Sequence, residues 1–273
     1  MKIGLIALDV DGTLVDDSHL RISERNKEAL RECAARGIHI VLASGRPMSM
    51  MRPVAEELEC VRYVISANGS AVWDLQNDRK IISREIPAGL SGQIMEILLD
   101  YPIALEVYSD GYACVNKGWH LENFDKMPAE YLEFRRAGNR FCDDLSRELA
   151  GKSVEKFNVD DMSQEILKEV LARLEPMKAQ LAMQFIQCYD NLEINSQKAT
   201  KGAALAKLCE QLEITPAQVM AFGDSDNDVT MLIFAGESFA MANGEAAAKK
   251  AAKYMAKANT EDGVAEMIET YVL

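Results

Sequence analysis

The sequence predicts an α/β protein: a parallel-sheet core interrupted by an inserted α+β domain. Three observations carry that reading. Short apolar runs that do not alternate are separated by helical patterns over residues 1–84, and the same rhythm resumes after residue 191. Between them, over 85–190, the pattern changes to hairpin-like strands and isolated helices. Non-alternating apolar runs mark strands covered on both faces, as in a parallel sheet flanked by helices.

Taken in order, residues 3–8 form a buried strand that stops at Asp9. Ser23 is placed to cap a helix on which Asn26, Ala29, Leu30 and Cys33 share one face, and Gly37 ends it. Residues 38–44 are a second buried strand, Pro47 suits the first turn of a helix reaching about Glu59, and 62–66 are a third strand. Strand, helix, strand, helix, strand implies right-handed crossovers. In the insert, 103–108 and 112–116 flank Ser109-Asp110-Gly111 as a hairpin. Strands follow at 154–159, 182–187 and 192–195, with a helix over 163–174. The stretch 119–144 has no clear period. Thr200 then caps a helix to Leu212, 219–222 form a strand, a helix starts near Ser225, and the chain is helical from Glu245 onward. Residues 1–84 and 191–273 are therefore assigned to the core and 85–190 to the insert.

Composition bounds the partners. The 273 residues carry 43 acids against 30 bases, a formal net charge of -13. A field of that sign over most of the surface argues against nucleic acid or an anionic membrane, although local cations can still bind a small anion. Six cysteines (33, 60, 114, 142, 188 and 209) are scattered without a CxxC pair and read as reduced thiols. The apolar run at the start is short and stopped by Asp9, and no stretch approaches the roughly 18 apolar residues of a membrane span. A cytoplasmic location is the expectation. Oligomeric state is not legible.

Ligands of open parallel sheets collect at the carboxyl ends of the strands. Here those ends carry Asp9-Val10-Asp11-Gly12-Thr13, Ser44-Gly45-Arg46, Ala67-Asn68-Gly69 and Gly223-Asp224-Ser225-Asp226-Asn227-Asp228, with Lys201-Gly202 opening a helix. On an extended backbone Asp9 and Asp11 face one way while Val10 turns into the core. Two carboxylates in one cleft resist joint ionisation, and an all-oxygen donor set favours Mg²⁺. One carboxylate can then attack phosphorus and the other can carry a proton, while the amides after Gly12 can hold phosphate oxygens. A calcium loop starting at Asp224 fails, because Val229 and Ala235 occupy its Gly and Glu positions. No GxxxxGK[ST] occurs, which removes a P-loop nucleotidase.

DVDGTL at 9–14, VLASGR at 41–46, Lys201 before Gly202 and GDSDND at 223–228 together resemble the four motifs of the haloacid dehalogenase-like phosphatase superfamily. Their order, the long insertion, ISANGS at 65–70 and NTEDGVAEMI at 259–268 are similar to the Cof-type subgroup with a type IIB cap. The resemblance implies a Rossmann-like core with an inserted α+β cap domain. It further implies an aspartyl-phosphate on Asp9, proton transfer by Asp11, and Mg²⁺ held by Asp9, the Asp11 carbonyl and Asp224. Ser44, the Gly45 amide, Lys201 and Asn227 would grip the phosphoryl group, and Asp228 would support the metal or orient Lys201. The sequence departs from the subgroup at Lys198, where Gly is common; Lys201 rather than Lys198 is the expected cation.

The implied activity is Mg²⁺-dependent hydrolysis of a small phosphorylated metabolite, a sugar phosphate or a phosphorylated cofactor. A phosphosugar mutase of the same superfamily and a non-catalytic sugar-phosphate-binding regulator are the alternatives. Arg46 is open between substrate contact and a surface salt bridge. Asp16 and Asp17 read as solvated loop acids or helix-entry residues, and His19, His39 and His120 as isolated, with His39 a packed residue of its strand. Trp119, His120, Phe124 and Tyr131 lie in the insert, where core or surface packing is favoured over contact with substrate.

Overall fold

Burial of non-alternating apolar strands dictates the core of the chain. The computed structural model describes residues 2–117, 129–160, 162–186 and 190–273. From the start run β1 (Leu5–Leu8), α1 (Glu24–Ala35), β2 (His39–Ala43), α2 (Met48–Leu58), β3 (Val61–Ser66), β4 (Ala71–Asp74) and β5 (Arg79–Ser83). Then follow α3 (Ala88–Leu99), β6 (Ala104–Ser109), β7 (Tyr112–Asn116), α4 (Ala129–Gly138), β8 (Asn139–Cys142) and α5 (Leu145–Leu149). Next are β9 (Lys156–Asp160), α6 (Gln164–Leu174), β10 (Leu181–Ile186) and β11 (Asn191–Ser196). The last are α7 (Lys201–Leu212), β12 (Val219–Gly223), α8 (Val229–Phe234), β13 (Glu237–Met241), α9 (Ala246–Ala251), β14 (Tyr254–Ala256) and α10 (Gly263–Tyr271).

These elements form two compact units. The first comprises Met1–Arg46, Met51–Ser83 and Thr200–Leu273; the second comprises Arg84–Ala199 with Pro47–Met50. The first holds an eight-stranded sheet ordered β14-β13-β12-β1-β2-β3-β4-β5. Every pair from β14 to β3 is parallel, and the β3-β4-β5 end is antiparallel. All four β1 residues are fully buried. Leu5, Ala7, Val41, Ala43, Val219 and Ala221 pack with Leu205 and Leu208 of α7 on one face. Strand order reverses between β1 and β12, so the carboxyl ends of these two strands lie at the switch point where a crevice opens.

The second unit holds a six-stranded sheet ordered β10-β11-β9-β6-β7-β8, antiparallel except for β7 against β8. Alternation sorts its faces. Val107, Phe157, Val159, Leu192 and Ile194 pack with α3 and α6 through Ile94, Leu98, Val170 and Leu174. The intervening residues are polar and in register: Glu106 opposite Asn158 opposite Glu193, and Tyr108 opposite Lys156. Arg135 of α4 donates to Glu106 Oε1 at 2.8 Å and lies 3.8 Å from Asp160 Oδ2. Lys156 Nζ donates to Glu193 Oε1 at 2.7 Å.

Several expectations need correction. β4, β5, α3, β13 and β14 have no counterpart in the elements read from the sequence, and β4 and β5 make one end of the core sheet antiparallel. Residues 191–199 belong with the insert, because β11 pairs with β10 and β9. The end of the chain is not continuously helical: β14 stands between α9 and α10. Ser23 caps α1 by accepting from Asn26 N–H, and Asn26, Ala29, Leu30 and Cys33 are its buried face, as read. Tyr131 is buried; Trp119, His120 and Phe124 lie outside the described residues. Cys33, Cys60, Cys114, Cys142 and Cys209 are free thiols, and Cys188 lies outside the described residues. Among the described residues no helix is long and apolar enough to cross a membrane.

Burial, reinforced by Glu106 and opposed by Arg135, pushes the Asp160 carboxyl up to about 7. The folded chain therefore holds a proton there that the unfolded chain releases near the ordinary value of 3.8. This stabilisation is complete below 3.8 and is lost as pH rises through about 7. Asp160→Asn should flatten the fall in the urea midpoint between about pH 5 and about pH 8. Identical slopes for variant and wild type would contradict the assignment.

Candidate active site

The end of β1 delivers Asp9 into the interior. It is 4 % exposed, and Lys201 Nζ lies 2.5 Å from its Oδ1. The same ammonium donates to Asp228 Oδ1 at 2.7 Å. Lys201 opens α7, whose cap Thr200 accepts from Ala203 N–H, while Gly202 N–H donates to Thr230 Oγ1 at 3.0 Å. Asp228 is itself anchored, since its Oδ2 accepts the Asp224 and Ser225 N–H groups at 3.0 and 3.1 Å. Asp224 Oδ1 accepts from Thr13 Oγ1 at 2.9 Å. One carboxylate oxygen from each of Asp9, Asp224 and Asp228 lies within 4.8 Å of the others.

Three carboxylates crowd together, and Lys201 pairs with two of them, Asp9 and Asp228. Burial, then the Asp228 charge, pushes Asp9 well above the usual carboxylate range, with Lys201 pulling the other way. Burial and Asp228 raise Asp224 to about 6. Burial alone would lower Lys201, but Asp228 and Asp9 hold it above its ordinary value.

Asp11 departs from expectation. The extended backbone ends at Asp9, because the Val10 carbonyl accepts from the N–H groups of Thr13, Leu14 and Val15 and curls the chain into a turn. Val10 is buried as expected, but the Asp11 side chain bonds to other partners than the Asp9–Lys201–Asp228 group. Arg46 Nε donates to Asp11 Oδ2 at 2.8 Å and Nη2 to Oδ1 at 2.5 Å. His19 Nδ1 lies 2.9 Å from Oδ1. Burial would raise this carboxyl; the Arg46 charge and the His19 bond outweigh it and hold Asp11 well below the usual range. Arg46 is thus buried in an ion pair with a part-exposed Asp11 rather than in a surface pair, and His19 is not isolated.

The turn needs Gly12. Its φ is +73°, and a Cβ there would overlap the Asp224 carboxylate. Its carbonyl accepts from Asn243 Nδ2 at 2.8 Å. At the end of β2, buried Ser44 accepts the Arg46 N–H on Oγ at 3.1 Å. A Cβ on Gly45 would come 2.9 Å from Asn68 Oδ1, the same oxygen that accepts from Asn227 Nδ2 at 3.1 Å. Gly45 and Asn227 therefore meet through Asn68. Asp16 takes the loop role read for it, accepting from Ser18 N–H at 2.9 Å.

The sequence model described as haloacid dehalogenase-like hydrolase matches residues 6–268. The chain belongs to this family. It is 33% identical over 275 residues to a 5-amino-6-(5-phospho-D-ribitylamino)uracil phosphatase of Bacillus subtilis (strain 168), covering 100% of this chain and 97% of the relative. A haloacid dehalogenase-like hydrolase from Bacteroides thetaiotaomicron superposes with a TM-score of 0.85 at 29% identity, covering 98% of this chain and 99% of the other. A subclass IIB sugar phosphatase superposes with a TM-score of 0.81 at 22% identity and 99% coverage of both chains, a likeness of fold. The protein is a haloacid dehalogenase-like phosphatase with a Rossmann-like core and an inserted α+β cap.

This family generally uses Mg²⁺, and the donor set fits such an ion. Buried carboxylate oxygens outnumber the one ammonium, and oxygen-rich anionic sites suit a hard divalent cation. Thr13, His19, Asn68 and Asn243 escaped the sequence reading. Asn68 stood in the strand-end segments already, and Thr13 in the first motif; nothing in the pattern marked His19 or Asn243.

Lys198 is exposed at its side chain, whereas Lys201 is 1 % exposed. Lys201→Met strands two buried carboxylates and should cost about 3–5 kcal/mol in urea unfolding without divalent ions. Lys198→Met should stay within about 0.5 kcal/mol. Equal effects would refute the buried pairing.

Proposed function

We propose that this phosphatase hydrolyses the terminal phosphate monoester of a small metabolite through a phosphorylated Asp9, with a phosphoribitylamino-pyrimidine as the leading substrate. The observation that carries the reading is the buried Asp9 carboxylate fixed by Lys201 beside Asp228 and Asp224. The substrate choice rests on the full-length relative that acts on such a compound.

In the proposed reaction an Asp9 oxygen attacks phosphorus while the ester P–O bond breaks. The departing alkoxide takes a proton from the Asp11 carboxyl, which enters the cycle carrying one taken up from solvent. Water then attacks the phosphorus of the acyl phosphate and returns a proton to Asp11, which restores Asp9 and releases inorganic phosphate. Lys201, the Ser44 hydroxyl, the Gly45 amide and the Asn227 side chain serve as donors to the phosphoryl oxygens, in a transfer that depends mainly on positioning and charge neutralisation. Asp9, the Asp11 carbonyl and Asp224 would hold Mg²⁺, with Asp228 supporting them. The bound ion supplies further neutralisation of the phosphoryl oxygens.

Phosphate release should be measured on 5-amino-6-(5-phospho-D-ribitylamino)uracil and a panel of sugar phosphates, with Mg²⁺ and after chelation. Turnover is expected to vanish on chelation, to return with Mg²⁺, and to fall about a thousandfold or more in Asp9→Asn. Wild-type rates no higher than those of Asp9→Asn on every compound would overturn the proposal. Isomerised sugar phosphate without free phosphate would mark a mutase, and binding without turnover would mark a regulator.

A further inference from the structure

The Asp11 carboxylate is held from two directions. Arg46 is 5 % exposed, yet the carboxylate it forks is 34 % exposed at its side chain. An ion pair serving only to staple the core would hide both partners; this one leaves the edge of the carboxylate open. An ionised carboxylate offers about four lone-pair positions. Two at Oδ1 meet Arg46 Nη2 and His19 Nδ1, and one at Oδ2 meets Arg46 Nε. The His19 contact is a hydrogen bond in the tautomer that carries its proton on Nδ1, with Asp11 Oδ1 accepting.

The loop that brings His19 is shaped for that contact. Val15 pairs with Ile22 across it, and His19 N–H donates to the Asp16 carbonyl at 3.0 Å. His19 adopts φ +61°, a region that residues other than glycine seldom occupy. The same residue presents its carbonyl to Arg46 Nη2 at 2.8 Å. Ring, carbonyl and guanidinium thus close a ring of contacts around one carboxylate.

Resting on the reading of Asp11 as the proton carrier, we propose that Arg46 and His19 are positioning residues. They fix the plane of Asp11 so that one place on Oδ2 remains for a proton: taken up there from solvent before the ester binds, it passes to the leaving oxygen, and the carboxylate left behind later takes one from water. A lysine at 46 would keep the charge but lose the two-point fork that sets the plane of the carboxylate.

The test compares kcat/KM for a primary alkyl phosphate, whose alkoxide needs a proton, with p-nitrophenyl phosphate, whose phenolate leaves without one. Both are measured with Mg²⁺ on wild type, Arg46→Lys, Arg46→Ala, His19→Asn and Asp11→Asn. Asparagine tolerates the positive φ, so His19→Asn removes the ring contact and keeps the loop. Arg46→Lys should lose about a hundredfold on the alkyl ester and under about tenfold on the aryl ester. His19→Asn should show the same selectivity with a smaller loss. Equal losses on both esters, no loss, or a gain would overturn the proposal. If Arg46→Ala does not fold, the other two variants decide it. Asp11→Asn separates the two readings. A selective loss there, without one at Arg46 and His19, rejects only the positioning role, whereas no selective loss at Asp11 rejects the proton-carrier reading and this proposal with it.

Discussion

One buried ammonium ties the core of the site together. Lys201 stands on the first turn of α7, where the helix dipole disfavours a cation, and burial adds to that cost. It is held there by Asp9 from the end of β1 and Asp228 from beyond β12, so three distant segments must meet for any of them to be stable. The parallel order β12-β1-β2 brings the strand ends to one edge, and the bond from Gly202 N–H to Thr230 Oγ1 holds α7 close enough for its lysine to reach. Removing the cation leaves buried charge without a partner, which is why the arrangement is a structural requirement as well as a chemical one.

Asp9 and Asp11 are two residues apart in sequence and opposite in environment. Burial and neighbouring carboxylates raise the first, while Arg46 and His19 pull the second down. The turn around the Val10 carbonyl produces the separation, since it releases Asp11 from the direction that Asp9 takes.

Much of this was legible because strand ends in a parallel sheet carry polar, glycine-bearing segments that stand out against apolar runs. Asp9, Asp224 and Asp228 lie in such segments, and Lys201 stood out at the opening of the helix that follows the insert. The direction of Asp11 was not legible: period-two reasoning assumes extended backbone, and the chain leaves it at Asp9. His19 reaches Asp11 through a left-handed residue in a loop, which no spacing rule marks. Arg46 stayed open between substrate contact and a surface salt bridge because its pairing depends on that same turn. β13 and β14 are short and sit among alanine, methionine and lysine, so their patterns resemble helix. In the insert, Lys156-Phe157-Asn158-Val159-Asp160 alternates clearly, but the pairing of its polar face with Arg135 depends on a helix that the sequence did not mark.

The central claim is that Asp9, fixed by Lys201, accepts the phosphoryl group. Rapid acid quench during turnover, followed by mass spectrometric localisation of protein-bound phosphate, tests it most directly. Phosphate on the peptide containing Asp9, accumulating within the first turnover and lost at the rate of product release, is the predicted result. A phosphorylated residue elsewhere, or turnover with no phosphoryl-enzyme at any quench time, would contradict it.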